Sequence, residues 1–271
     1  MKYLGLILSI ALFGPTTLAQ APIPAEQLVT VKSGSRPIII SCPHDGIEAV
    51  SGVGVRSGFA VDKFVTARDT GAGEIASKVA ELLEKSLGGS PHVVIAKFSR
   101  QYIDANRPPQ DAYEWKSAKV VYDRYHDSLA AAKKEVMEKW GRGLLIDIHG
   151  QAADRDAIFR GTNNGKTCSH MLDRFGKSAL SGSKSVLGVM ESKGYKVLPQ
   201  GGTEDKENPR FGGGYIVQTY GSAQGGTVDA IQLELGWNHR SMMKSGHFAA
   251  DLAAAVTIYA KEYLPEKAIK P

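Results

Sequence analysis

The sequence predicts an α/β protein, a three-layer α/β/α domain built on a mixed, mostly parallel sheet. Short β-branched runs alternate with helical stretches along the chain. The crossovers between those runs are long enough to join parallel strands. Two of the seven histidines, His44 and His149, follow directly on two of the runs, at the carboxyl ends where open α/β sheets hold their sites.

Met1-Lys2 is followed by an apolar stretch over 3–13 and by the small-residue segment Thr17-Leu18-Ala19, which together read as a cleaved signal peptide over 1–19. A stretch that short does not span a bilayer as a helix. The expectation is therefore an exported chain, secreted or periplasmic, with one domain over 20–271 and no stable membrane association. Residues 37–42, Pro-Ile-Ile-Ile-Ser-Cys, make a strand covered on both faces and stopped by Pro43. The Gly- and Val-rich loop 45–68 is longer than ordinary connections, which makes it a candidate lid. Ile75, Val79, Leu82, Leu83 and Leu87 recur at helical spacing before Gly88-Gly89, so 74–87 is a helix, with Asp69 placed as its N-cap. A second β run, 92–98, opens into a polar cluster that Pro108-Pro109 closes. Val120, Val121, Tyr125, Leu129 and Val136 carry a long helix to 140, and Gly141-Arg142-Gly143 breaks it before a third strand over 144–148. Downstream, 177–193 reads as helical, 196–198 as a short strand, 212–220 and 230–235 as strands, and 248–263 as the final helix.

Hydrophobic residues make up 42% of the chain, enough to fill one core. The net charge is +5, with Lys and Arg interleaved among Asp and Glu, which suits solubility and anionic small substrates and argues against nucleic acid. The two cysteines, Cys42 and Cys168, allow one disulfide or two buried thiols and exclude a disulfide scaffold.

The chemistry starts from Cys-Pro-His44-Asp-Gly and Ile-Asp147-Ile-His149-Gly, which set two imidazoles at strand ends facing one crevice. Imidazole is a preferred zinc ligand, and a catalytic site adds a carboxylate while keeping a position open for water. Two hydrogen-bonded structural histidines are the plainer alternative, but matched positions surrounded by acids favour a metal. A glycine close behind each histidine lets the backbone approach a ligand. The carboxylate ligand is open among Asp69, Glu48 and Asp45. Asp69 is preferred, in competition with a plain capping role, and Glu48 is the alternate. Asp147, on the side of His149 and one pleat deeper, is placed to orient an imidazole. Glu234 stands in an apolar strand, where an acid is expensive to bury without a purpose. Its structural alternative is an ion pair with Arg240.

Several motifs resemble, in the same order, those of the N-formylglutamate amidohydrolase family, within the wider zinc carboxypeptidase and aspartoacylase-like group. They are Ser-Cys-Pro-His44-Asp-Gly, Arg68-Asp69-Thr-Gly, Phe98-Ser-Arg100-Gln-Tyr-Ile-Asp104-Ala-Asn106-Arg107-Pro, Leu-Ile-Asp147-Ile-His149-Gly-Gln and Ile-Gln-Leu-Glu234-Leu-Gly-Trp-Asn-His-Arg240. Together they span most of the chain. The resemblance implies a phosphorylase/hydrolase-like fold, one Zn2+ ion held by His44, His149 and an acid, and hydrolysis of an N-acyl bond beside a free carboxylate. It implies Glu234 as the general acid/base and Asn106-Arg107 as the pair that binds the substrate carboxylate. Arg offers that carboxylate a bidentate fork. Arg100 is placed to assist, Asp104 to position Arg107, and Arg160 is a weaker candidate from a polar loop. Arg107 paired with loop acids is the structural alternative. The His-x-x-Glu spacing of true carboxypeptidases is absent, which leaves the third ligand open. Tyr215 and Tyr220 are candidate hydroxyl donors, although packing is the commoner use of such residues. His239 and His247 are expected to be packing or surface groups.

The expected substrate is a small molecule or short peptide with a free carboxylate. An exported carboxypeptidase or a γ-glutamyl or cell-wall peptide hydrolase is the second reading. A catalytically silent metal- or ligand-binding protein of the same fold is the third.

Overall fold

The computed structural model describes residues 23–59, 61, 64–203 and 205–269. The predicted signal peptide lies outside them. Seven strands form one sheet in the order β1-β3-β2-β4-β7-β5-β6, where β1 is Val29–Lys32, β2 Ile38–Cys42, β3 His92–Ala96, β4 Gly143–Gly150, β5 Ala157–Gly161, β6 Lys196–Leu198 and β7 Val228–Leu235. The four central strands β3, β2, β4 and β7 are parallel. β1 runs antiparallel at one edge, and the β5-β6 pair runs antiparallel to β7 at the other.

Helices cover both faces, so the central strands are hydrophobic nearly throughout, as parallel strands in a three-layer fold must be. On one face Ile38, Ile40, Leu144, Ile146, Ile148, Ile231 and Leu233 pack against the helices Ala72–Leu87 and Ser245–Tyr263. The opposite face is different. Nearest the strand beginnings it presents Ile39, Leu145 and Ala230 to the helix Lys119–Trp140. One pleat on, the aligned residues are Ser41, Asp147 and Gln232, and one pleat further His149 stands beside Glu234. Alternation with a period of two therefore puts a ladder of polar side chains on one face, at the carboxyl ends of three adjacent strands.

The structure corrects three expectations about elements. Residues 212–220, expected as a strand, contain the helix Tyr215–Tyr220 instead. Ile216, Val217 and Tyr220 share its buried side, and tertiary packing overrides the local β propensity of that run. The stretch 177–193 holds two short helices, Ser178–Ser181 and Val186–Ser192, separated by Gly182. Two strands, β1 and β5, have no counterpart among the predicted elements. Cys42 and Cys168 are buried and unpaired, and burial pushes the Cys42 thiol far up. Among the described residues no helix is long and apolar enough to cross a membrane.

Candidate metal centre and active site

β2 ends at Cys42, and the chain leaves it through Pro43 to His44. Loop 45–68 then closes on its own start, because the backbone N–H of Asp69 donates to the carbonyl of His44 (3.0 Å). That bond sets the Asp69 carboxylate beside the His44 ring and opposite His149, which ends β4. Asp69 is not a side-chain cap. The helix Ala72–Leu87 begins after Gly71, and the amides of Gly71 and Gly73 are taken by the Asp45 carboxylate (3.3 and 2.8 Å). Asp45 thus supplies the cap expected of Asp69, and Arg68 holds it from the other side (2.7 Å).

His44, Asp69 and His149 are almost entirely buried and form a group of metal-ligating type. The distances are 3.1 Å between the two Nδ1 atoms, 3.3 Å from His149 Nδ1 to Asp69 Oδ2 and 3.4 Å from His44 Nδ1 to Asp69 Oδ2. Ligand atoms around one tetrahedral ion with bonds of about 2.0–2.1 Å stand about 3.3–3.4 Å apart. The donor triangle therefore has the dimensions such an ion requires.

The far sides of the rings strengthen the case. His44 Nε2 lies 2.7 Å from Asp104 Oδ1, and His149 Nε2 lies 2.7 Å from Asp147 Oδ2. A carboxylate accepts, so each ring carries its proton on Nε2 and turns the Nδ1 lone pair inward. Two lone pairs and a carboxylate oxygen then meet with no donor among them, an arrangement that repels itself unless a cation is present. Burial alone would lower the His149 pKa, but Asp147 and Asp69 outweigh it and raise it well above the ordinary range. Asp69 is held far below the usual carboxylate range, because its contacts with His149 and His44 overcome the effect of burial.

The two orienting carboxylates are themselves braced. Asp147 accepts from the Ser41 hydroxyl (2.6 Å), its neighbour on β2. Asp104 is fully enclosed and paired with Arg100, whose Nε and Nη2 donate to Oδ2 (2.9 and 2.8 Å). His44 and Arg100 together keep Asp104 ionised against burial. Asp104 therefore orients His44, with Arg100 bracing it in that role, while its carbonyl accepts the Arg107 N–H (3.1 Å).

Glu234 sits beside His149 across the β4-β7 ladder. Burial pushes its carboxyl up to about 7, opposed in part by His149, and Gln232 Nε2 donates to its Oε1 (2.8 Å). Arg240 does not pair with it. The Arg240 guanidinium donates to the carbonyls of Thr70, Gln151 (3.2 Å) and Leu235 (3.0 Å). Those carbonyls lie one or two residues from Asp69, His149 and Glu234, so one side chain ties the three segments together. A Cβ on Gly150 would lie 2.5 Å from that guanidinium, and one on Gly46 would strike the backbone of Lys97 and Phe98. Both glycines make room for the protein itself rather than for a ligand.

A cleft of about 1220 Å³ opens over the group. Arg107, Arg100, Asn106, Tyr215, Glu234 and the far end of loop 45–68 contribute to its walls. Asn106 is 4% exposed, and its amide is engaged at both ends, by Ile216 N–H and by Gln232 (2.9 and 3.2 Å). Glu48 stands apart from the group, bridged through its backbone to Phe98. Arg160 also stands apart, donating to the buried Glu207 carboxylate (2.7 Å). That carboxylate further accepts from Thr162 and Asn164 and so anchors the segment leading to Phe211–Gly214 in the cleft wall. Tyr220 turns inward onto His126 (2.9 Å). His239 stacks on Phe248, and His247 is exposed. Sequence reading did not give Ser41 or Gln232 a role. The signal was the alternation itself, since Gln232 precedes Glu234 as Asp147 precedes His149.

The fold and the site define the class, an α/β/α protein with a buried group of metal-ligating type at the carboxyl ends of its parallel strands. No family model matches the chain. It is 24% identical over 282 residues to N-formylglutamate deformylase of Pseudomonas putida, across 88% of this chain and 95% of that protein. Its fold resembles the crystal structure of N-formylglutamate amidohydrolase from Ralstonia eutropha, with a TM-score of 0.57, 18% identity and coverage of 87% of this chain and 97% of that one. A gene product of Agrobacterium tumefaciens matches with a TM-score of 0.54 and 16% identity, covering 86% and 94% of the two chains. Sequence and fold comparisons thus point the same way: over most of its length the chain is similar to proteins named N-formylglutamate deformylase or amidohydrolase.

Proposed function

We propose that the protein is a zinc-dependent amidohydrolase that cleaves an N-acyl bond in a substrate bearing a free carboxylate. The observation that carries this reading is the convergence of three buried acceptor atoms, on His44, Asp69 and His149, beside the raised carboxyl of Glu234. Two imidazoles and one carboxylate are a common donor set of catalytic zinc, and a group without thiolates that leaves a coordination position open fits a catalytic rather than a structural ion. When bound, zinc supplies a fixed positive charge that polarises a carbonyl and acidifies water.

The chain's own groups would do the rest. Glu234, with a pKa of about 7 in the metal-free site, accepts the proton of the attacking water and returns it to the leaving nitrogen. Asp104 and Asp147 hold the two imidazoles in one tautomer and one orientation. Arg107, in the cleft wall, receives the substrate carboxylate.

An N-acyl amino acid is the substrate suggested by the relatives. The cleft favours a second form of the same chemistry, hydrolysis of a short carboxylate-ended peptide such as a γ-glutamyl or cell-wall peptide. Its volume of about 1220 Å³ exceeds the roughly 300–1,000 Å³ of ordinary small-molecule pockets. The leader-like amino terminus supports export, where such peptides are met.

Zinc analysis of the purified protein, then a panel of N-acyl amino acids and short peptides with and without chelator, tests the reading. Glu234→Gln should abolish turnover while the zinc stays bound. Zinc-loaded wild-type protein that hydrolyses nothing in the panel would replace the enzyme with a metal- or ligand-binding protein of the same fold.

A further inference from the structure

Three side-chain amides and carboxyls next to the metal group are joined head to tail, and the direction of each is fixed. The chain starts at the backbone. The N–H of Ile216, in the first turn of the helix Tyr215–Tyr220, donates to Asn106 Oδ1 (2.9 Å), so the Asn106 NH2 must point the other way. That NH2 donates to Gln232 Oε1 (3.2 Å), which also accepts the N–H of Gly214 (2.8 Å). With two donors on its oxygen, Gln232 must turn its own NH2 outward, and it meets Glu234 Oε1 at 2.8 Å. Asn106 Nδ2 also comes within 3.4 Å of His149 Nε2, but that nitrogen carries the proton given to Asp147 and offers no acceptor. Gly214 belongs to the same device, because a Cβ there would lie 2.2 Å from Asn106 Nδ2.

We infer that Asn106 and Gln232 form an amide relay that positions Glu234, so that Asn106 serves the proton carrier through Gln232. The relay rests on the reading of Glu234 as acid/base. Gln232 holds one carboxylate oxygen and leaves the second for the proton. Two backbone N–H groups dictate which end of each amide faces the acid, so the donor is present without any rotamer search at the moment of reaction. Both amides are nearly inaccessible to solvent, at 4% and 3%, which prevents water from taking over either contact.

The discriminating comparison is Asn106→Asp against Asn106→Ala. Asp keeps the acceptor for Ile216 but replaces the NH2 with an oxygen facing Gln232 Oε1, so that two acceptors repel and the Gln232 amide is pushed out of line with Glu234. Ala merely removes one of two donors to Gln232, and Gly214 still holds it. The relay therefore expects the isosteric change to be the worse one. Asn106→Asp should lower kcat by about a hundredfold, within the range ascribed to a positioned acid/base, with zinc content and KM little changed, and Asn106→Ala should lose several-fold. Gln232→Met, which removes the donor without adding charge, should lose about as much as Asn106→Asp and serves if that variant folds poorly. In 1H-15N spectra of the zinc-loaded protein, the Gln232 side-chain amide should be shifted and protected in wild type and in Asn106→Ala and should lose both in Asn106→Asp.

A packing role predicts the reverse order, Ala worse than Asp. A carboxylate-binding role predicts a rise in KM for both. Either result overturns the relay, as does a Gln232 amide unmoved in Asn106→Asp. Normal turnover by Glu234→Gln with the amide signature intact overturns instead the assignment of Glu234 as acid/base.

Discussion

Replacing Glu234 by Gln removes a carboxyl whose proton affinity the fold has raised, and the effect on stability can be worked out with its sign. The ordinary value is 4.5 and the folded, metal-free value is about 7. Between those two values the folded protein binds a proton that the unfolded chain releases, so stability falls as pH rises through the window. The cost is absent below about pH 4.5 and complete above about pH 7, where a shift of this size corresponds to about 3 kcal/mol. Glutamine does not titrate and keeps the contact with Gln232, so the metal-free variant should be the more stable protein at alkaline pH. The stability difference between variant and wild type should widen by about 2.5 kcal/mol from pH 5 to pH 8, since part of the cost is already present at pH 5. Urea unfolding of chelator-treated proteins at both pH values measures it. Added zinc should shrink the difference at pH 8, as the ion's charge then stabilises the wild-type carboxylate. A difference that is the same at pH 5 and pH 8 would refute the claim that burial strains Glu234.

Two further outcomes follow from the same geometry. Asp104→Asn and Asp147→Asn each replace a carboxylate on a ligand's far nitrogen, and each should weaken zinc about 10- to 100-fold in a chelator competition assay, with the sheet unaltered by circular dichroism. Arg107→Ala should raise KM about 10- to 100-fold for carboxylate-ended substrates, the range expected for one charged hydrogen-bonded contact, and leave the corresponding amide-capped substrates unaffected.

The strands that bear His44, His149 and Glu234 were legible because both their faces are buried, which writes them as unbroken apolar runs. The site at their ends was legible because Asp147, His149, Gln232 and Glu234 interrupt those runs toward their carboxyl ends. Residues 212–220 misled for the opposite reason. Their β-branched and aromatic content describes a half-buried surface and not a backbone shape, and packing against the helix Lys119–Trp140 made it helical. Asp69 stands beside His44 and His149, but not through the capping role that brought it into view. Its neighbourhood to the helix start is real, but the cap comes from Asp45, distant in sequence and brought back by the closure of loop 45–68. The bond from Asp104 to His44 was not legible because a loop residue's partner depends on the path of the loop, which periodicity does not encode. The relay through Gln232 joins a loop, a helix start and a strand, and no local window contains all three.

The polar ladder on the sheet has a consequence for assembly of the chain. Because side chains alternate strictly along a strand, slipping β4 or β7 by one residue sends Asp147 and His149, or Gln232 and Glu234, to the opposite face as pairs. Such a slip would also carry Ile146 and Ile148 out of the apolar layer, so the same error that disables the site unpacks the core. On the proposed reading, uptake of a metal ion would then report the register. A chain that takes up the ion tightly would have its parallel strands correctly paired, and one that has mispaired them would be marked by failure to hold it before any substrate is offered.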